Sequence, residues 1–254
     1  MARRYDSRTT IFSPDGRLYQ VEYAMETISH AGTSLGILAE DGIVLAAEKK
    51  TTSALLDSGP AGAEKLFAID GHVGCAVAGI TADANILVAR ARLAAQRYRY
   101  TYGAAIPGEQ LVQALCDTKQ GYTQHGGLRP FGVSFVYAAF DAHRGFQLYH
   151  SDPAGNYAGW GATVVGANSP SAQAILKADY ISGCALSAAT SLAVKVLSKT
   201  MESTALTADK LEIATLTLDP LTKAPVFHVF TPAQIDALLD KEGVKKNDAA
   251  AEKK

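Results

Sequence analysis

Cysteine is scarce in this 254-residue chain, and so is any excess of charge. The three cysteines, Cys75, Cys116 and Cys184, stand far apart, and none has a Cys or His at metal-ligand spacing. They read as free thiols packed as small hydrophobes in a reducing compartment, with no metal site and no disulfide framework. Lys and Arg total 24 against 25 Asp and Glu, a net charge of −1. No global field points to nucleic acid, and none to a disordered acidic chain. Nowhere do about 18 apolar residues follow one another, so no transmembrane helix and no membrane partner is expected. The opening MARRYDSRTT is polar and has no apolar signal core, which makes cytoplasm and nucleus the expected locations.

Catalytic signatures are missing too. The sequence has no GxSxG elbow, no HExxH, no phosphate-binding loop and no GxGxxG after a strand. Its histidines, His30, His72, His125, His143, His150 and His228, are scattered and never pair four residues apart. No cofactor and no metal are implied. There is one tryptophan, Trp160, and packing in a core or an interface is its default role.

What is present is a clear alternation of patterns. Residues 1–17 are polar, carry Arg3, Arg4, Arg8 and Arg17, and end in the turn-forming run Ser13-Pro14-Asp15-Gly16. Leu18, Val21, Met25 and Ile28 then recur at helical spacing, with Tyr19 and Tyr23 placed to stack beside them and Gly32 to end the helix. Two hairpins follow, Ser34–Ala39 with Ile43–Glu48 and Lys65–Ile69 with His72–Ala78, each joined through Asp-Gly. Helices are expected at 82–102, with Thr81 as N-cap, and from Pro107 to a stop at Gly126-Gly127. Strands return at 131–140, 145–151 and 162–166, with Asp152-Pro153-Ala154-Gly155-Asn156 read as a turn. Helices at 170–180, capped by Ser169, and 188–201, capped by Ser187, precede strands at 212–218 and 226–230 and a last helix at 232–239. Hairpins with helices inserted in pairs define an α+β class, with two antiparallel sheets stacked and helix pairs outside. No internal linker interrupts the pattern.

Residues 5–27, YDSRTTIFSPDGRLYQVEYAMET, resemble the N-terminal signature of alpha-type subunits of the proteasome core particle. The likeness continues through GTSLGILAEDGIVLAAEKK at 32–50, EKL at 64–66, AGITADANIL at 78–87, YTQHGGLRPFGVSFVY at 122–137, SDPAGNYAGW at 151–160 and LEIATL at 211–216. Within that family the eukaryotic type-4 branch is the most similar.

The resemblance implies a four-layer αββα sandwich, the N-terminal-nucleophile hydrolase fold of proteasome subunits, with an extra N-terminal helix. It divides the chain into a gating tail and turn at 1–17, one subunit domain at 18–240 and a charged tail at 241–254. Catalysis in that superfamily needs a threonine freed at the mature N-terminus, whose α-amino group serves as base. Alignment puts Gly32 at that position and Thr33 one place out of register, with Glu48 and Lys65 kept as the supporting pair. A non-catalytic role follows. Lys65 is then implied to receive the C-terminal carboxylate of a docking activator. Tyr5, Asp6, Pro14 and Tyr23 match the cluster that opens the axial pore, and Arg8 is placed to pair with an aspartate of a neighbouring subunit. Leu18, Val21, Met25 and Ile28 are implied to pack against other subunits. The implied partners are the other alpha subunits of a heteroheptameric ring, beta subunits, and regulatory-particle ATPases or other activators. Three features depart from the family pattern: a Gly-, Pro- and Ala-rich loop at 57–63, Gly161 after Trp160, and a short tail of mixed charge.

Overall fold

The computed structural model describes residue 8 and residues 10–49, 65–201 and 206–243. Tyr5, Asp6, loop 57–63 and residues 244–254 lie outside the described residues.

The first helix, α1 (Tyr19–Ser29), is followed by strands β1 (Ser34–Leu38), β2 (Gly42–Glu48), β3 (Leu66–Asp70) and β4 (Val73–Gly79). Helices α2 (Thr81–Tyr102) and α3 (Gly108–Gln124) come next, then β5 (Val133–Asp141), β6 (Gly145–Ser151), β7 (Tyr157–Gly159) and β8 (Ala162–Val165). Helices α4 (Ser169–Asp179) and α5 (Leu186–Thr200), strands β9 (Leu211–Leu218) and β10 (Pro225–Val229), and helix α6 (Pro232–Lys241) complete the order. The described strands form two five-stranded sheets, ordered β10-β9-β2-β1-β8 and β3-β4-β5-β6-β7, with every neighbouring pair antiparallel. This is the α+β four-layer αββα sandwich with its extra N-terminal helix.

Three apolar layers hold it together. Leu45, Leu66, Val136, Leu148 and Leu216 fill the space between the sheets. Leu87, Leu111, Leu115, Phe135 and Tyr137 join the second sheet to α2 and α3. Leu35, Ile37, Leu176, Val194, Leu197 and Leu239 join the first sheet to α4, α5 and α6. Burying one such large aliphatic side chain contributes roughly 1.5–3 kcal/mol, so the interleaved layers dominate stability. β2 is GIVLAAE because it is central and covered on both faces; its first six residues are all buried.

Helix ends are where the pattern-based expectations move. Thr81 lies inside α2, and the cap position is Ile80, without a side-chain cap. Ser187 lies inside α5, whose first amide, that of Leu186, donates to Asp41 Oδ1 at 2.6 Å. A carboxylate from the β1–β2 turn, remote in sequence, therefore does the work expected of a local serine. Ser169 is likewise helical, after Asn168 at φ 56°. Among the described helices only α6 carries a full local capping box, between Thr231 and Gln234. α6 also runs on to Lys241, so the 240/241 boundary drawn from sequence falls within a helix. Strand β7 has no counterpart in the sequence reading. Gly161 follows Trp160 because a Cβ there would meet the Tyr180 ring at 2.8 Å.

Candidate functional site

The N-terminal turn is built by its own hydrogen bonds. Ser13 N donates to Arg17 O at 2.9 Å, Gly16 N to Ser13 O at 2.9 Å, and Arg17 N to Ser13 Oγ at 3.1 Å. Gly16 takes φ 75°, a left-handed conformation that a Cβ would oppose. Pro14 sits exposed on this turn, as does Arg8 ahead of it. Arg17 then clasps Glu22 on α1 with two bonds, Nε to Oε1 at 2.7 Å and Nη2 to Oε2 at 2.8 Å. Turn and helix are thus joined as one body.

On α1, Tyr19 and Tyr23 stack at 6.3 Å between ring centroids, as their spacing implies. The apolar stripe divides. Val21 and Ile28 are buried with Ala24 against the chain's own sandwich, Leu18 is half-buried at the cap position, and Met25 is 39 % exposed. The small Ala24 side chain lets the helix approach the sheets, which turns Met25 and Tyr23 outward. The exposed face of the helix is therefore Tyr23 and Met25, whereas Val21 and Ile28 serve the fold.

The helix ends at Ser29, earlier than Gly32. Gly32 has a different physical reason. A Cβ there would lie 2.7 Å from Lys65 Nζ and 3.1 Å from the Glu48 carbonyl oxygen. Lys65 Nζ instead donates to the Gly32 carbonyl at 2.6 Å. Thr33 N donates to Glu48 Oε2 at 3.1 Å, and Thr33 Oγ1 donates to Ala167 O at 2.7 Å. Glu212 Oε2, on β9, accepts the amides of both Lys65 and Leu66 at 3.1 Å. Lys65, Glu48 and Thr33 therefore converge, with Glu212 as a member that sequence reasoning missed. Its only signal was a single acidic residue at the start of a strand that carries no other charge.

In this arrangement the Thr33 nitrogen is a peptide amide that donates to a carboxylate, and its hydroxyl donates to a carbonyl. Neither is arranged as a base for the other. Lys65, half-buried, spends one of its ammonium protons on the backbone directly after α1.

A second polar centre escaped the sequence reading. Lys119, on α3, is fully buried and donates to Ser151 Oγ at 2.9 Å, Val133 O at 3.2 Å and Asp152 O at 3.2 Å. Its ammonium lies 4.8 Å from the Phe135 ring centroid. Burial pulls its pKa down to about 8. Tyr137 Oη shares Ser151 Oγ at 3.1 Å. Nearby, burial and then the Lys119 charge push His150 down to about 4, and its Nε2 has no hydrogen-bond partner. Trp160 stands beside His150, ring centroids 6.4 Å apart, at the rim of the second sheet. The 152–156 turn forms as expected: Asn156 N and Nδ2 both donate to Asp152 at 3.0 Å. Among the described residues no group of three His, Cys, Asp or Glu side chains could hold a metal. No described helix is long and apolar enough to cross a membrane.

Comparison with known families gives the same answer as the signature and the fold. Residues 28–216 match the proteasome subunit family, and residues 5–26 match the N-terminal signature of its alpha-type members. The chain belongs to the proteasome subunit family, and to its alpha type. It is 61% identical over 246 residues to proteasome subunit alpha type-4-1 of Oryza sativa subsp. indica, covering 97% of this chain and 98% of the relative. Identity to alpha type-4-A of Arabidopsis thaliana is 61% over 244 residues, with 96% and 97% covered. To alpha type-4 of Dictyostelium discoideum it is 60% over 240 residues, with 94% and 95% covered.

Proposed function

We propose that the chain is a non-catalytic structural and gating subunit of the proteasome core particle. In this reading it takes its place in a heteroheptameric alpha ring stacked on a beta ring, in cytoplasm and nucleus. There it controls entry of substrates to the proteolytic chamber during ubiquitin-dependent protein degradation. The observation that carries the reading is the seam at Gly32. The residue at the nucleophile position has no side chain, its carbonyl is held by Lys65, and the helix before it is packed onto the domain. Freeing a threonine there requires removing α1, and with it Val21, Ala24 and Ile28 from the core.

Gating is supported by the hydrogen-bonded 13–17 turn and its clasp to α1. Tyr5, Asp6, Arg8, Pro14 and Tyr23 form the gating set in this proposal. Lys65 is the docking cation for an activator's terminal carboxylate, whether a regulatory-particle ATPase or another activator; that carboxylate then shares the ammonium with the Gly32 carbonyl. The test is deletion of residues 2–10 in the assembled particle. Peptide hydrolysis without activator is expected to rise. Unchanged basal hydrolysis would remove the gating role and leave the structural one. Native mass spectrometry of the endogenous protein separates a further reading, a free binding protein that uses the 125–160 region: a free monomer would support it, and a ring-bound chain excludes it.

A further inference from the structure

The layer between the two sheets is apolar, yet a carboxylate opens onto its edge. Glu212 shares a face of β9 with Ala214 and Leu216, and both of those line that layer. It stands opposite Ala47 of β2 and is 7 % exposed. A charge in this position is costly unless hydrogen bonds compensate it. Glu212 Oε2 accepts the amides of Lys65 and Leu66, both at 3.1 Å, and so ties the first sheet to the start of β3 in the second.

Successive amides of a regular strand point to opposite sides, so two in a row do not share one acceptor. Here they converge on a single oxygen, in the manner of an anion-binding nest. The backbone bends at Lys65, and β3 begins at Leu66. The far side of the bend is tied as well, since Val77 N donates to Lys65 O at 3.0 Å. In a regular ladder the Lys65 amide would meet the Val77 carbonyl in return. That carbonyl instead accepts Ser34 Oγ at 2.7 Å, and the Lys65 amide turns to Glu212. Glu212 thus replaces a ladder bond at the residue whose side chain crosses to the seam.

A lysine carries its charge on a flexible four-carbon stem, so the place its ammonium takes depends on how the backbone roots it. Rooted by this bend, Lys65 Nζ reaches the Gly32 carbonyl at 2.6 Å. We infer that Glu212 is the positioning residue of the Lys65 site. Its carboxylate fixes the bend, the bend fixes the ammonium, and the fixed ammonium is what an activator's terminal carboxylate meets. The inference rests on the docking reading of Lys65 and adds the group that preorganises it. Reach and an acceptor oxygen are then what matter in Glu212, rather than its charge.

Two substitutions separate reach from charge. Glu212→Gln keeps the length and the acceptor oxygen, whereas Glu212→Asp keeps the charge and falls one methylene short. Both are read in the assembled particle by trace acetylation with isotopically coded acetic anhydride, as the reactivity of Lys65 relative to the exposed Lys223. The second readout is the concentration of regulatory-particle ATPase ring that half-maximally stimulates peptide hydrolysis. Glu212→Asp is expected to raise both by about fivefold with maximal stimulation kept, and Glu212→Gln to stay within about twofold of wild type. Unchanged Lys65 reactivity in the Asp chain overturns the inference. So does a Gln chain that shifts as far as Asp, because charge rather than position then sets the ammonium. Where the Asp chain does not assemble, a fivefold shift in the Gln chain still overturns the inference, and wild-type behaviour upholds it. Lys65→Met tests the reading underneath: full stimulation there removes docking at Lys65, while the acetylation ratio still decides whether Glu212 positions the ammonium.

Discussion

Lys65 and Lys119 both end on backbone carbonyls, yet they sit in opposite surroundings. Lys65 is half-buried at the seam behind α1, with the Glu48 carboxylate beside it and its own amide on Glu212. Lys119 is fully buried, and its hydrogen-bond partners are two carbonyls and a hydroxyl, all neutral. A lysine near carboxylates and solvent keeps its charge at little cost and can exchange partners. A lysine sealed among neutral acceptors is a fixed bolt, and its charge opposes its own burial. The first sits at a partly exposed seam. The second serves only the fold.

The largest expected effect follows from the bolt. Lys119→Ala removes the donor to Ser151 Oγ and to the Val133 carbonyl and leaves a cavity, and should cost about 3–5 kcal/mol in denaturant unfolding. Lys119→Met, which keeps the volume, should cost clearly less; equal losses would mean that the hydrogen bonds, not the packing, carry the site.

The charge gives a pH signature. Lys119 is held at about 8 in the fold against an ordinary value of 10.5, so the unfolded chain binds more protons between those limits. Stability contributed by this group therefore rises as pH increases from about 8 towards 10.5, by up to about 3 kcal/mol. Cys75 and Cys116, which burial pushes up to about 12 and about 11, act in the opposite sense above pH 9. Because the Lys119 charge itself lowers both thiols, wild type and Lys119→Met are compared between pH 8 and 9, below the range in which the thiols titrate. The difference should move in favour of wild type as pH rises, and a difference that stays flat contradicts a buried charge.

Two glycines sharpen the contrast. Gly155 has φ 90°, and a Cβ there would lie 2.6 Å from the Cys116 carbonyl oxygen, against rigid helix backbone. At Gly32 the nearest atom is the movable Lys65 ammonium at 2.7 Å. Thermal unfolding should show Gly155→Ala losing about 2–3 kcal/mol and Gly32→Ala about 1–2 kcal/mol. The reverse order would mean that the Gly32 seam is the stiffer of the two. Lys65→Met should be the mildest, about 1 kcal/mol or less in stability, while abolishing stimulation by an activator with a free C-terminal carboxylate. Full stimulation would move the docking site elsewhere.

Sequence and structure agree best at turns and stacks, where the cause is local. The Asp-Gly dipeptides announce the β1–β2 and β3–β4 hairpins, and the 13–16 run announces the turn that carries Pro14. The spacing of Tyr19 and Tyr23 announces their stack. What the sequence hides is set by partners far along the chain. Leu186 is capped by Asp41, Lys65 is met by Gly32 and Glu212, and Lys119 reads as one more polar residue on an amphipathic helix until β5 and β6 close over it. β7 is three residues of tyrosine, alanine and glycine, which form a strand only because β6 offers an edge. The division of the α1 stripe has the same origin: periodicity finds the apolar face, and only the packed sandwich shows which half of it is already used.

The most direct test of the central claim, a subunit silenced by the segment ahead of Gly32, is the intact mass of this chain in the assembled particle. The account predicts a chain that retains residues 2–31, with the peptide bond before Thr33 whole. A shorter chain that begins at Thr33 with a free amine would contradict it.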